Sequence, residues 1–465
     1  MKTSSFLKIL MLAMAALAAC QAGFAQAAYA VVPTAAAGHF RPYVWMMNAP
    51  IHPNVVPFGP SYCNSNTYYG AGTFTFCPSG LQSVYGANSI PSGNGGKGRT
   101  IAIVDAYHYG NVASDLATFN TAMGLPQLDG VGSDPTLTIV GCTTATSLTA
   151  PSYGVTCSTT LNTGTNSGWE LEEMLDLEYA HAMAPYANIL MVEAIDSGTL
   201  DLLGGVYYGE SNADIVSDSW GGAEFSLETS ITDGTFGYGI PVLFSSGDNG
   251  DEVQVGGGGD SFVVGVQYPC SSPWVTCVGG TTLLPAGSPL RRSTETAWSG
   301  KGSSGGSGGG CSIYETLPYY QSISSLGGMS GTPGLPTVCT AEGGPWRAVP
   351  DIAAVGNPAT GVMEYDSGNG GYFQVGGTSL ATPVTAGLFA QIIAARHTFG
   401  QATIPSFNPP MYAGAVRNYP YFFFDIVSGN NGYSAGIGFD LVTGLGVSNI
   451  AAMANRFFGL IFVPD

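Results

Sequence analysis

The chain has 465 residues, enough for one large domain or two ordinary ones, and 45% of them are hydrophobic while 9% are charged. Residues 1–100 contain no Asp or Glu, whereas everything after them carries all 31 acids against 7 of the 12 basic residues. An acidic body of this kind repels phosphates and excludes nucleic acid as a partner. So few Lys and Arg among so many carboxylates suit acidic surroundings, where protonation lowers self-repulsion, although many exported proteins are simply acidic.

The N-terminus reads as an export signal over residues 1–30. Lys2 and Lys8 precede the apolar run ILMLAMAALAA, and small-x-small cleavage sites follow near residues 27 and 30. Release into the periplasm or the medium is the expectation. The LAAC run ending at Cys20 offers lipid anchoring as the minority alternative. After this segment no apolar run is read as reaching transmembrane length, so the mature chain is expected to lack a membrane span and to be a monomer.

Residues 31–98 are rich in Pro, Gly, Asn and aromatics, with little periodicity. They are expected to form an extended lead-in packed on a larger body that spans residues 99–465. From Arg99 the pattern changes. RTIAIVD reads as a buried strand, ASDLATFNTAMG as a helix, and WELEEMLDLEYAHAMA as a strong helix stopped by Pro185. NILMVEA, ADIVSDS and IPVLFSS are strand-like with helical stretches between them, which predicts an α/β fold built on a parallel sheet flanked by helices. The Gly/Ser-rich run 300–311 is expected to be a long surface loop inside one domain.

Besides Cys20 there are Cys63, Cys77, Cys142, Cys157, Cys270, Cys277, Cys311 and Cys339. Their order suggests four local disulfides, pairing them consecutively, which suits an exported protein. There is no CxxC and His is scarce, so zinc is not expected.

Chemistry concentrates in GGTSLATPVTAGLFAQIIAARH. A strand-like run meets Gly376 and Gly377, then Thr378 and Ser379 open an apolar helix, with Pro383 expected in its first turn. A hydroxyl at a helix N-terminus sits where free N–H groups favour developing negative charge. The full G-T-S-x-x-x-P pattern resembles the nucleophile motif of the subtilisin-like superfamily, although a Ser/Thr cap on a core helix explains the turn alone equally well.

Two branches of that superfamily then compete. The subtilisin branch needs an Asp after the first strand, which Asp105 could supply, and a His in an HGTH-type run, which is absent. His181 lies near the end of its helix and reads as a packing residue. The other branch, the sedolisin or serine-carboxyl peptidase family, resembles the run EEMLD followed by HAMAPYANILMVEA. That resemblance implies Glu172 as general base and Asp176, one helical turn on, as the acid that orients it. Without it, acids spaced i, i+4 are more simply a solvated helix face, and Glu170, Glu173 and Glu178 compete on the same helix. The resemblance also assigns Asp248 in FSSGDNG to the oxyanion. An Asp must be protonated to donate there, so acidic conditions or a raised pKa are required.

Near the C-terminus, Asp425 and Asp440 flank a Gly-rich loop. The resemblance implies one structural Ca²⁺ held by their side chains and by the backbone carbonyls of Ile426, Gly436 and Gly438. It further implies an acid-acting endopeptidase on polypeptide substrates, with a tripeptidyl exopeptidase or a non-catalytic binding protein on the same fold as alternatives. Family members typically carry a large pro-domain, which residues 31–98 are too short to supply. The likeness runs over roughly residues 99–460.

Overall fold

The computed structural model describes residues 28–30, 39–47, 75–90, 93–159, 164–255, 261–286, 291–322, 337–340 and 344–457. Four strands that sequence reading anticipated become β1 (Thr100–Ala106), β3 (Asn188–Ala194), β4 (Ile215–Asp218) and β5 (Val242–Ser245), and β2 (Leu137–Cys142), β6 (Thr276–Ala286), β7 (Ile352–Val355) and β8 (Val447–Ser448) stand beside them. They lie in the order β2-β3-β1-β4-β5-β6-β7-β8, and each neighbouring pair is parallel. Three antiparallel strands join them: Cys157–Ser158 and Phe423–Phe424 at the two edges, and Arg291–Ala297 alongside β6. The mostly parallel α/β sheet with flanking helices is therefore present.

Both faces are covered because successive side chains of a strand point opposite ways. Ile101 and Ile103 of β1 turn to a core shared with the helices α2 (Ser167–Met183) and α4 (Thr378–Thr398). Ala102 and Val104 turn to the other, packed against Leu202, Leu203 and Val206 of α3 (Thr199–Asn212). The helix α1 (Val112–Met123) starts after β1 and stops at Gly124, which takes the left-handed φ of +71°.

Helix α2 begins where the Asn166 side chain accepts from the Gly168 N–H, and it ends before Pro185 as expected. It lies inside the protein: Glu172, Glu173, Asp176 and Glu178 are all at most 1% exposed, so the solvated-face reading of these acids fails. Helix α4 crosses it closely. A side chain at Gly387 would strike Met183 and the Ala180 carbonyl, 2.6 and 2.7 Å away, so glycine permits the contact. Helix α4 is also long and apolar enough to cross a membrane, contrary to the sequence reading. Its apolar window is wholly buried, because α4 is the central core helix.

Two further expectations change. Pro383 lies beyond the first turn, inside α4. Its missing N–H leaves the Ser379 carbonyl without its helical donor, and the Ser219 hydroxyl lies 3.3 Å from that carbonyl. The Gly/Ser-rich run is largely buried rather than a surface loop. A Cβ at Gly308 or Gly309 would come within 2.0 Å of the Ser246 or Leu441 carbonyl, so the glycines are there to let backbones touch.

Disulfides join Cys142–Cys157, Cys270–Cys277 and Cys311–Cys339, as anticipated. Cys77 is disulfide-bonded, and its anticipated partner Cys63 lies outside the described residues.

Candidate active site

Strand Gly371–Gly376 runs into Gly377, whose φ of +125° turns the chain into α4 and sets Ser379 in the first helical turn. Gly377 is required on two counts. An L side chain rarely adopts that φ, and its Cβ would fall 2.0 Å from the Tyr43 carbonyl oxygen and 2.8 Å from Asp248 Oδ2. The Ser379 hydroxyl donates to the Ser219 carbonyl at 3.3 Å, while the Ser219 hydroxyl donates to Asp176 Oδ1 at 2.8 Å. Ser219, just past β4, thus ties α2 to the start of α4.

Glu172 is fully buried, and among the described residues neither of its oxygens completes a hydrogen bond. Burial pushes its carboxyl well above the usual range, the Asp105 charge pushes it further, and the facing Ser379 hydroxyl pulls it down. Asp176, one turn along, is raised in the same way by burial and then by Asp105 and Glu172. Asp248 follows β5. Its Oδ1 accepts from the Thr378 N–H and hydroxyl, each at 2.7 Å, and its Oδ2 has no partner. Burial pushes Asp248 up to about 7 against the pull of those two bonds. The structure therefore gathers Ser379, Glu172, Asp176 and Asp248 around one point.

The competing residues go elsewhere. Glu173 turns toward Glu193, whose Oε2 lies 2.8 Å from His108 Nδ1. Glu178 accepts from the Tyr365 N–H, and Glu170 is half-buried beside the Asp366 charge. His181 donates from Nε2 to the Pro126 carbonyl at 2.9 Å, and burial lowers its pKa to about 4, so it is the neutral packing residue expected. Sequence reasoning gave one neighbour another role and missed two. Asp105, raised to about 8 by burial and by Glu193, abuts the Glu172–Asp176 pair rather than holding a histidine. Ser219 and Tyr43 carry no motif of their own.

In the C-terminal loop the Asp425 carboxylate accepts from the Tyr419 hydroxyl and the Gly438 N–H, and Asp440 from the N–H groups of Gly436, Val442 and Thr443. Both carboxylates thus bracket the 436–438 backbone, and an all-oxygen donor set of this kind fits a hard cation. Among the described residues no three His, Cys, Asp or Glu side chains cluster for a metal.

A hydroxyl at a helix N-terminus, facing a buried acid pair and a third acid raised in pKa, is the arrangement of a serine-type peptidase site. The Subtilase family model matches residues 150–408. Kumamolisin of Bacillus sp. (strain MN-32) is 30% identical over 380 residues, 77% of this chain and 60% of that protein. Sedolisin of Pseudomonas sp. (strain 101) is 37% identical over 220 residues, 45% of this chain and 33% of that protein. The solved structure of Pseudomonas sedolisin, a serine-carboxyl proteinase complexed with two molecules of pseudo-iodotyrostatin, superposes with a TM-score of 0.64 at 26% identity. The match covers 83% of this chain and 99% of that one. The chain belongs to the subtilase family, and within it to the sedolisins. It spans 60% or less of the length of the two curated relatives named above.

Proposed function

We propose that the chain is a serine-carboxyl peptidase acting in acid on polypeptides, with Ser379 as nucleophile. The observation that carries the reading is the buried Glu172 carboxyl, without a hydrogen-bond partner, in front of the Ser379 hydroxyl. Glu172 takes the hydroxyl proton as the oxygen attacks a peptide carbonyl, then returns it to the leaving amine. A raised pKa makes its carboxylate a stronger base, and Asp176 shares the resulting charge, so the two titrate as a pair. Asp248, protonated, donates from Oδ2 to the oxyanion beside the Ser379 N–H.

The pH dependence follows from Asp248. It donates only while protonated, so turnover falls as pH rises through about 7. A pH profile on a quenched peptide library tests this, and an optimum at pH 8 or full activity in Ser379→Ala defeats the reading.

Internal cleavage is favoured over tripeptide removal because residues 39–47 run past Ser379 on both sides, which supports a cleft open at both ends. Tripeptidyl-peptidase sed1 of Aspergillus fumigatus, 33% identical over 278 residues, is the reason to test the exopeptidase alternative with N-capped peptides.

Asp425 and Asp440, with the carbonyls of Ile426, Gly436 and Gly438, would hold one Ca²⁺, which would brace the loop by neutralising its two carboxylates. Residues 1–30 are read as the export signal. The N-terminal mass of protein recovered outside the cell tests it.

A further inference from the structure

A cavity of about 390 Å³ opens between α1 and β2, and none of the residues gathered around Ser379 lines it. Its walls follow from the periods of the two elements. Ala113, Leu116, Ala117 and Asn120 recur at i, i+3, i+4 and i+7, so they share one face of α1. Leu137 and Ile139, two residues apart, share one face of β2 and form the opposite wall. Two alanines stand where a helix packed on a sheet ordinarily presents larger apolar side chains, and the room they leave is the cavity. Its volume lies within the range of small-molecule sites, roughly 300–1,000 Å³.

Asn120 is the informative residue. It is 1% exposed, and among the described residues neither Oδ1 nor Nδ2 of its side chain has a hydrogen-bond partner. Its backbone is fully employed, since its carbonyl accepts from the Leu125 N–H at 2.9 Å where α1 ends. Two other polar residues of the wall are engaged elsewhere. Gln127 Nε2 donates to the Thr121 hydroxyl at 3.2 Å, and Asp129 Oδ1 accepts from the Val131 N–H at 2.9 Å. A buried amide without partners costs stability, and a leucine of similar size would serve the fold better at this position. A lone donor–acceptor group against an apolar space is instead what orients a ligand.

We propose that this cavity binds a small, uncharged apolar molecule with one end that both donates and accepts a hydrogen bond: a primary amide, or a carboxylic acid in its protonated form. Such an end pairs with the Asn120 carboxamide through two parallel hydrogen bonds, its donor to Oδ1 and its acceptor to Nδ2. The apolar body then lies against Leu116, Leu137 and Ile139, in the space left by the alanines. Among the described residues the wall offers no Lys, Arg or His. An ionised carboxylate would find no countercharge there and would leave Oδ1 unpaired, so a carboxylic acid binds only while it keeps its proton.

The test titrates octanamide into the full chain carrying Ser379→Ala, which prevents self-digestion, and reads the heat of binding at pH 4 and pH 7. Octanamide is expected to bind at both, and octanoic acid at pH 4 alone. N,N-Dimethyloctanamide accepts but cannot donate, so it should bind about tenfold more weakly, the worth of one hydrogen bond. Asn120→Leu should weaken octanamide by about tenfold or more while its melting temperature holds or rises, because an unpaired buried amide is gone. Ala117→Leu, at an exposed position on the rim, fills the space and should abolish binding with Asn120 untouched. Octanamide that does not bind, or that binds either variant as tightly as the parent chain, overturns the proposal. Equal affinity for the dimethyl amide, or octanoic acid bound as tightly at pH 7 as at pH 4, overturns it as well.

Discussion

Asp351 and Glu172 are both wholly buried carboxylates, yet their surroundings differ in kind. Asp351 receives Arg347 from both terminal nitrogens, at 2.7 and 2.6 Å, and adds the Cys277 N–H and the Tyr412 hydroxyl, each at 2.8 Å. Glu172 receives no completed bond and has Asp105 and Asp248 for charged neighbours. A buried carboxylate with an ion partner and several donors is held in one place and acts as a fixed strut. A buried acid without them has a raised pKa, so its carboxylate is a strong base, able to take a proton and return it during a reaction. Burial alone does not mark a functional carboxylate. Neither does unfilled capacity alone, since Asp218 and Glu364 also leave both oxygens unpartnered among the described residues. What sets Glu172 apart is that it does so in front of the Ser379 hydroxyl.

The largest expected effect comes from the unfilled side. Glu172→Gln should lower kcat/KM on an acid-pH peptide substrate by about ten-thousandfold, the upper range for a general base, with melting temperature unchanged or raised. On the filled side, Asp351→Ala should cost about 3–5 kcal/mol of stability, since it strands Arg347 without an ion partner. Denaturant titration of the protein in its inactive Ser379→Ala background reads that loss free of self-digestion, and a cost under 1 kcal/mol would erase the contrast.

Asp248→Asn sharpens it further. An amide donates at every pH, so turnover at the acid optimum should change by about a hundredfold at most, while the decline through about pH 7 disappears from the pH profile. The unfilled acids also predict how stability varies with pH. Asp105 and Asp248 are raised to about 8 and about 7, so the folded chain holds protons that the unfolded chain has lost above about pH 4. Stability should therefore be greatest in acid and fall by about 1.4 kcal/mol per pH unit for each such group until its folded pKa is passed. Melting temperatures of Ser379→Ala from pH 4 to pH 8 check the direction. The smallest effect is Ser219→Ala, about 1 kcal/mol in kcat/KM, because it removes one donor to Asp176 while both helices remain packed.

Much of this site was legible in the chain, and the reasons are local. Helix α2 carries a dense apolar run ended by Pro185, and Ser379 follows a glycine pair at a strand–helix junction, so local pattern places the two helices, while the family resemblance singled out Glu172 and Asp176 among the acids of α2. What spacing did not carry was depth. Five acids on one helix look like a wet surface until the fold closes over four of them. The Gly/Ser run looked like a surface loop because glycine serves flexibility and close packing equally, and backbone contacts at Gly308 and Gly309 decide between the two. Tyr43 was invisible, since a peptide held by main-chain pairing needs no motif.

The sequence by itself determined the order of elements, the helix that bears the acid pair, the turn that bears Ser379, and the three described disulfides, all of which depend on residues near one another along the chain. Tertiary structure decided which carboxylates lose their water, which find donors instead, and that residues 39–47 cross in front of Ser379. Those outcomes depend on contacts between elements brought together only by the packed fold, and no local pattern encodes them.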